Sequence, residues 1–174
     1  MADTLYADVS EWQVGVNDTY LYLVLCIRSN DGTYRDRQWV NNYSWCLRNV
    51  DSGRLTFFIV YFVWRPNWEE TVEAFKSQVR APHPRMAVML DVESWGGPQP
   101  LVAHQYTDGQ GYGGGLPEGA PPFGRCDMNS ADGLTAQQFA QVCGIPAVLP
   151  VTLAARRRRA LAAASPLAAQ RRLA

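Results

Sequence analysis

The chain has 174 residues, of which 47% are hydrophobic, 11% aromatic and 18% charged, a composition typical of a globular protein and not of a disordered one. The formal net charge is zero, but residues 151–174 hold six arginines and no acid, so the rest of the chain carries a net charge of −6. A body this acidic argues against a nucleic-acid binder. No apolar run is long enough to span a membrane and no secretory signal is readable, so we expect a protein made in the cytoplasm.

The first hundred residues alternate between predicted strands and predicted helices. Apolar and β-branched runs predict strands at residues 5–9, 22–28, 55–63 and 86–92. Apolar residues spaced by three and four predict amphipathic helices over residues 36–50 and 67–79. This alternation is typical of βαβ units and a parallel sheet, so we expect an α/β fold that is either doubly wound or a barrel.

The pattern changes after residue 97. A strand is predicted at 101–107, a glycine-rich loop at 108–124, a short strand at 126–129 and a closing helix at 135–143. From about residue 145 the chain consists almost only of Ala, Leu, Arg and Pro. We expect one domain over residues 1–144 and a disordered or loosely helical tail over 145–174, with a membrane-bound basic helix as the alternative for the tail.

Asp91 and Glu93 are the strongest chemical signal in the sequence. Residues i and i+2 of a strand lie on one face about 6.5–7 Å apart, and active sites of α/β proteins form at the carboxyl ends of strands. Mutual repulsion and the neighbouring Trp95 raise the pKa of one carboxyl, which then serves as a general acid beside an ionised partner. Glycoside hydrolysis uses this division of roles, although an isolated pair of this kind more often caps a helix or pairs with an arginine.

Two further acids strengthen the hypothesis of an acidic site. Asp8 ends the first predicted strand and Asp127 lies in the last, so in a parallel sheet all four acids gather at one rim. Aromatic residues, which stack on sugar rings, are frequent at the same strand ends: Trp12, Tyr61, Trp64, Trp95 and Tyr106. None of the four cysteines forms a CxxC pair and only two histidines are present, so we expect reduced thiols and no zinc site.

Several short motifs occur in the order seen in one family of enzymes. They are DVSEWQ at residues 8–13, DGTYRD at 31–36, YF at 61–62, LDVE at 90–93, QYT at 105–107 and CDMN at 126–129. Over residues 5–134 the sequence resembles glycoside hydrolase family 25, the muramidases of the Chalaropsis lysozyme type, and most of all the muramidase domain of mycobacteriophage endolysins. The resemblance implies a modified (β/α) barrel that cleaves the β-1,4 bond between N-acetylmuramic acid and N-acetylglucosamine in peptidoglycan.

The resemblance also implies roles for individual residues. Glu93 would be the proton donor, Asp91 its partner, and Asp8 and Asp127 would line and tune the cleft. The residues expected to contact the glycan are Tyr61, Trp64, Trp95, Gln105 and Tyr106. A protein of this type would reach the cell wall through a phage holin or an equivalent, and its reaction needs neither metal nor cofactor.

The sequence departs from the family in one respect. A barrel of this type has about eight strands, whereas six can be counted here, and only residues 94–100 separate the LDVE strand from the QYT strand. We therefore expect an incomplete barrel of the TIM type that lacks about two strands after the LDVE strand. Two functions remain open at this point: a peptidoglycan hydrolase, and a non-catalytic wall-binding or inert remnant of one.

Overall fold

The computed structural model describes residues 3–92 and 103–147 of the chain. The helices are α1 (Trp39–Ser52), α2 (Trp68–Gln78) and α3 (Ala136–Val142). The strands are β1 (Leu5–Val9), β2 (Val24–Asp31), β3 (Tyr34–Arg35), β4 (Phe57–Val63), β5 (Met86–Asp91), β6 (His104–Thr107), β7 (Gly119–Ala120), β8 (Gly124–Arg125) and β9 (Asp127–Ser130). All six predicted strands are present. The two-residue strands β3, β7 and β8 are too short to leave a periodic pattern and were not predicted.

The ends of the helices follow local signals. Gly53 ends α1 in the left-handed region at φ 82°, and its N–H donates to the carbonyl of Val50. Thr135 and Gln138 form a reciprocal capping box at the start of α3. No helix in the described ranges is long and apolar enough to cross a membrane.

The main sheet has the strand order β5-β4-β2-β1-β9-β6, with β3 paired to β2. Strands β5, β4, β2 and β1 are parallel, as predicted from the βαβ pattern. Strand β9 is antiparallel to both of its neighbours, β1 and β6. The expectation of a sheet that is parallel throughout was therefore wrong for β9, because that strand follows a loop and not a crossover helix.

The two faces of the sheet are covered by different helices. Because side chains alternate along a strand, Leu25 and Ile27 point to the outer face and pack with Trp45 and Val50 of α1. The inner face is covered at one end by α3, whose Phe139 packs in a buried cluster with the following residues: Tyr6, Val24, Phe57 and Ile59. The other end of the inner face carries polar side chains instead, and these form the site described below.

The described structure is a mixed α/β fold with a curled half-barrel sheet. Strands β5 and β6 stand at the two ends of the strand order, so the described sheet is not closed. Val88 and Leu90 on the outer face of β5 are 53% and 48% exposed. The part of the chain between β5 and β6, and the tail from residue 148, lie outside the described residues.

Candidate active site

A cleft of about 530 Å³ opens on the inner face at the carboxyl ends of the parallel strands. Five of the nine predicted site residues line it: Asp8, Tyr61, Asp91, Gln105 and Asp127. Glu93 and Trp95 lie outside the described residues. The structure therefore brings together the acids that come from three separate strands.

Strand direction explains how the three acids meet. Asp8 lies near the carboxyl end of β1 and Asp91 at the carboxyl end of β5. Asp127 is instead the first residue of the antiparallel strand β9, where it stands opposite Asp8 in the β1–β9 register. The first residue of an antiparallel strand lies at the same rim of the sheet as the last residue of a parallel strand. These three acids therefore lie at one rim, as predicted, although β9 runs in the direction opposite to the one expected.

The cleft alters the ionisation of Asp8. Burial, then the negative charges of Asp127 and Asp91, raise the pKa of Asp8 to about 8, against smaller opposing effects of the Tyr61 hydroxyl and Arg28. Asp8 on β1 and Asp91 on β5 are separated by two strands in the sheet, so the curl of the sheet is what brings their charges close enough to interact. At neutral pH Asp8 therefore holds a proton.

Asp127 also has a raised pKa. Its pKa is raised by burial, and next by the charges of Asp108 and Asp91. Asp31, on the wall of the cleft, behaves in the opposite way. The guanidinium of Arg65 donates from Nε to Asp31 Oδ1 at 2.5 Å and from Nη2 to Oδ2 at 2.7 Å, which lowers the pKa of Asp31. The cleft thus contains one carboxyl that stays ionised and others that take up a proton more readily.

A buried ion-pair network supports the β1 side of the cleft. Asp36 accepts hydrogen bonds from the backbone N–H of Glu11 at 2.8 Å, from that of Gln38 at 2.8 Å and from Arg28 Nε at 2.9 Å. The carboxylate of Glu11 is bound by Arg28 and by the Tyr34 hydroxyl. These contacts fix Arg28 in the wall of the cleft. Sequence reasoning did not select Arg28, although a cation at the end of an apolar strand was a signal for it.

Trp12 stands at the mouth of the cleft and is 81% exposed. The turn that carries it is held in place, because Ser10 N–H donates to Gln13 Oε1 at 2.9 Å and Gln13 N–H returns to the Ser10 carbonyl at 3.3 Å. The Glu11 N–H bond to Asp36 ties this turn to the ion-pair network. A large aromatic ring is therefore presented to solvent on a fixed backbone beside the acids.

Two predicted contact residues are placed differently from the prediction. Tyr106 packs against the outer-face core, and its hydroxyl donates to the Pro117 carbonyl at 2.8 Å. The pairing of β6 with β9 is irregular between Gln105 and Thr107, and at this irregularity Gln105 lines the cleft while the neighbouring Tyr106 does not. Trp64 follows β4 and donates its backbone N–H to the Asp91 carbonyl at 2.8 Å, but it is not among the residues that line the cleft.

Asn129 is a cleft residue that sequence reasoning quoted in a motif but did not assign to the site. Its position two residues after Asp127 was the available signal, since it places both side chains on one face of the strand. Within the described ranges, no group of three His, Cys, Asp or Glu side chains is arranged to hold a metal ion.

Comparisons with known proteins give one clear relative. No protein-family model matches the chain. The catalytic domain of endolysin ply40 from bacteriophage P40 of Listeria monocytogenes is 15% identical, with a TM-score of 0.41 over 82% of this chain and 98% of that domain, a similarity too low to support a conclusion.

The Mycobacterium tuberculosis protein named "Uncharacterized protein Rv3766" is 45% identical over 206 aligned positions, which cover 83% of this chain and 75% of that protein. The aligned span exceeds the 174 residues of this chain, so the relative has segments that this chain lacks. At this identity and coverage, the chain belongs to the same protein family as Rv3766 of Mycobacterium tuberculosis.

Proposed function

We propose that the protein is a peptidoglycan-degrading glycosidase of the lysozyme type, which hydrolyses the β-1,4 bond between N-acetylmuramic acid and N-acetylglucosamine. One observation carries the proposal: carboxyl groups from β1, β5 and β9 share one cleft, and Asp8 has a pKa of about 8 there. A protonated carboxyl beside carboxylates is what glycosidic bond cleavage requires. The motif order of family 25 supports the same reaction.

The general acid has two candidates. The resemblance assigns the proton donor to Glu93, two residues beyond Asp91, whereas Asp8 is the carboxyl that holds a proton at neutral pH in the described cleft. In either case the acid protonates the oxygen of the leaving sugar, and an ionised carboxylate stabilises the positive charge that develops on the sugar ring. Asp91 and Asp127 are the partners available for that second role.

The shape and lining of the cleft are suited to a saccharide. A volume of about 530 Å³ lies within the range of small-ligand sites, and its polar lining offers hydrogen bonds to sugar hydroxyls. Trp12 offers an aromatic surface at the mouth. Peptidoglycan is accordingly the proposed partner, and the proposed place of action is the cell wall, reached through a phage holin or an equivalent.

A second candidate function is that of a non-catalytic wall-binding protein or inert remnant. The open half-barrel favours it, because the relative has segments that this chain lacks and the outer face of β5 is exposed. Displacement of a catalytic group by about 1 Å lowers a rate by about 100-fold. Such a protein would sediment with peptidoglycan without releasing new reducing ends.

The test is the release of reducing ends from purified peptidoglycan by the full chain. We expect release by the unmodified protein and a loss of at least about 100-fold in Glu93→Gln or Asp8→Asn, whichever residue is the acid. Asp51→Asn on α1, an exposed residue outside the cleft, is the matched control and should keep full activity. Wall binding without any release of reducing ends would favour the remnant, and full activity in both acid variants would refute the carboxyl mechanism.

A further inference from the structure

Asn129 carries a buried amide nitrogen that no described protein group binds. It lies on β9 with Asp127 and lines both the acidic cleft and an adjoining apolar pocket of about 490 Å³. The residue is 8% exposed, and its Nδ2 atom has no hydrogen-bond partner among the described residues. In folded proteins nearly every buried donor is paired, so this amide requires an explanation.

Other buried asparagines of the chain use their amides to hold the backbone. Asn30 Nδ2 donates to the carbonyls of Gly32 at 2.7 Å and Thr71 at 3.1 Å. Asn49 Nδ2 donates to the carbonyl of Trp45 at 2.8 Å. Asn129 differs from both in having no such bond and in facing a cleft, and this difference points to a ligand as the acceptor.

A second unpaired atom lies on the neighbouring strand. Asp8 Oδ1 is closed to solvent and has no hydrogen-bond partner among the described residues, and Asp8 lines the same cleft as Asn129. Strands β1 and β9 are adjacent in the sheet. The cleft therefore presents one amide donor and one carboxyl oxygen from adjacent strands, both left unsatisfied by the described protein groups.

We propose that Asn129 is a specificity-determining residue that donates a hydrogen bond from Nδ2 to the carbonyl oxygen of an acetamido group on the glycan. Asp8 Oδ1 accepts the N–H of the same group, since an acetamido group carries one donor and one acceptor on the two sides of its carbonyl carbon. This inference rests on the proposed function, because it takes the ligand to be an N-acetylated glycan. A sugar with a hydroxyl in place of the acetamido group leaves buried polar atoms unpaired, which is an effective way to reject an analogue.

The experiment compares two tetrasaccharides, chitotetraose with acetamido groups and cellotetraose without them, on the full chain. Their dissociation constants are measured by calorimetry, and the midpoint of thermal unfolding is measured for each variant. In Asn129→Ala, and in Asn129→Leu, which keeps the branched heavy-atom skeleton but has no polar atoms, we expect chitotetraose to bind about tenfold more weakly, equivalent to about 1.4 kcal/mol. Cellotetraose offers no acetamido group to Asn129, so its binding should stay unchanged. The melting midpoint should also stay unchanged, because Nδ2 of Asn129 bonds to none of the described protein groups.

Asn49→Ala is the matched control. It removes a buried amide that is hydrogen-bonded to the protein, so it should lower the melting midpoint and leave the preference for chitotetraose intact. An unchanged preference in both Asn129 variants would overturn the inference alone, and so would a fall in their melting midpoint as large as that of Asn49→Ala. Failure of the unmodified chain to bind either sugar would overturn the proposed function together with the inference.

Discussion

Replacing Asp8 by Asn is expected to flatten the pH dependence of the free energy of unfolding. In the folded chain the pKa of Asp8 is about 8, because the group is buried and faces Asp127 and Asp91. In the unfolded chain the pKa of an aspartate is about 3.9. Between these two values the folded state holds a proton that the unfolded state has released, so stability falls as the pH rises.

The size of the effect follows from the width of that window. One proton held only by the folded state lowers the free energy of unfolding by about 1.4 kcal/mol per pH unit. Over two pH units the loss is about 3 kcal/mol, a large part of the roughly 5–15 kcal/mol that stabilises a typical domain. Asparagine has nearly the same shape and can still accept the hydrogen bond from Tyr61, so Asp8→Asn removes the titration without opening a cavity.

The assay is urea unfolding of the full chain at several pH values from about pH 4.5 to about pH 7.5. The unmodified protein should lose stability across this range, and Asp8→Asn should lose clearly less, with a remaining slope from Asp127, whose pKa is also raised. Asp31→Asn is the control, because Arg65 lowers the pKa of Asp31 and places its titration below the window. Equal slopes for Asp8→Asn and the unmodified protein would refute the reasoning.

Three other substitutions test separate parts of the structure. Asp36→Ala removes the acceptor of Arg28 Nε and of two backbone N–H groups, so it should lower the free energy of unfolding in urea by about 3–5 kcal/mol. A decrease below about 1 kcal/mol would contradict a stabilising role of this ion-pair network. Phe139→Ala removes the ring that packs α3 against the inner face of the sheet, so it should lower the free energy of unfolding by about 3–5 kcal/mol in the same measurement. An unchanged free energy would mean that α3 does not cover that end of the inner face. Trp12→Ala should leave the melting midpoint unchanged and weaken chitotetraose binding by about 2- to 10-fold. Trp68 is a half-exposed tryptophan on α2, and Trp68→Ala should change neither quantity. If Trp12→Ala binds chitotetraose as tightly as the unmodified protein does, Trp12 is not part of the site.

Features that depend on neighbours in the chain were predicted well. The helices predicted at 36–50 and 135–143 are observed as Trp39–Ser52 and Ala136–Val142, and the contacts that mark their ends span only a few residues. Apolar runs such as Phe57–Val63 predicted the strands because burial on both faces leaves a continuous signal. The short hairpin of β7 and β8 has no such signal, since its pairing depends on the loop around it.

Not every residue that was predicted to contact the glycan lines the cleft. Gln105 and Tyr106 were both predicted to contact the glycan, but in the structure Gln105 lines the cleft and Tyr106 packs against the outer-face core. The choice depends on the register of β6 against β9, which shifts at this point and which no local pattern records. Asn129 was missed for a related reason, since a buried amide is recognised as unpaired only when its surroundings are known.

From its amino acids alone, the chain could be assigned its alternating strands and helices and its acidic strand ends, because each of these follows from composition and short-range order. The tertiary structure decided that β9 runs antiparallel and that Asp127 nevertheless stands opposite Asp8. It also decided the raised pKa of Asp8, since that shift depends on burial and on charges from β5 and β9 that lie more than 80 residues away in the sequence. Electrostatic coupling acts through space, so it became visible only once the sheet had curled and brought these strands together.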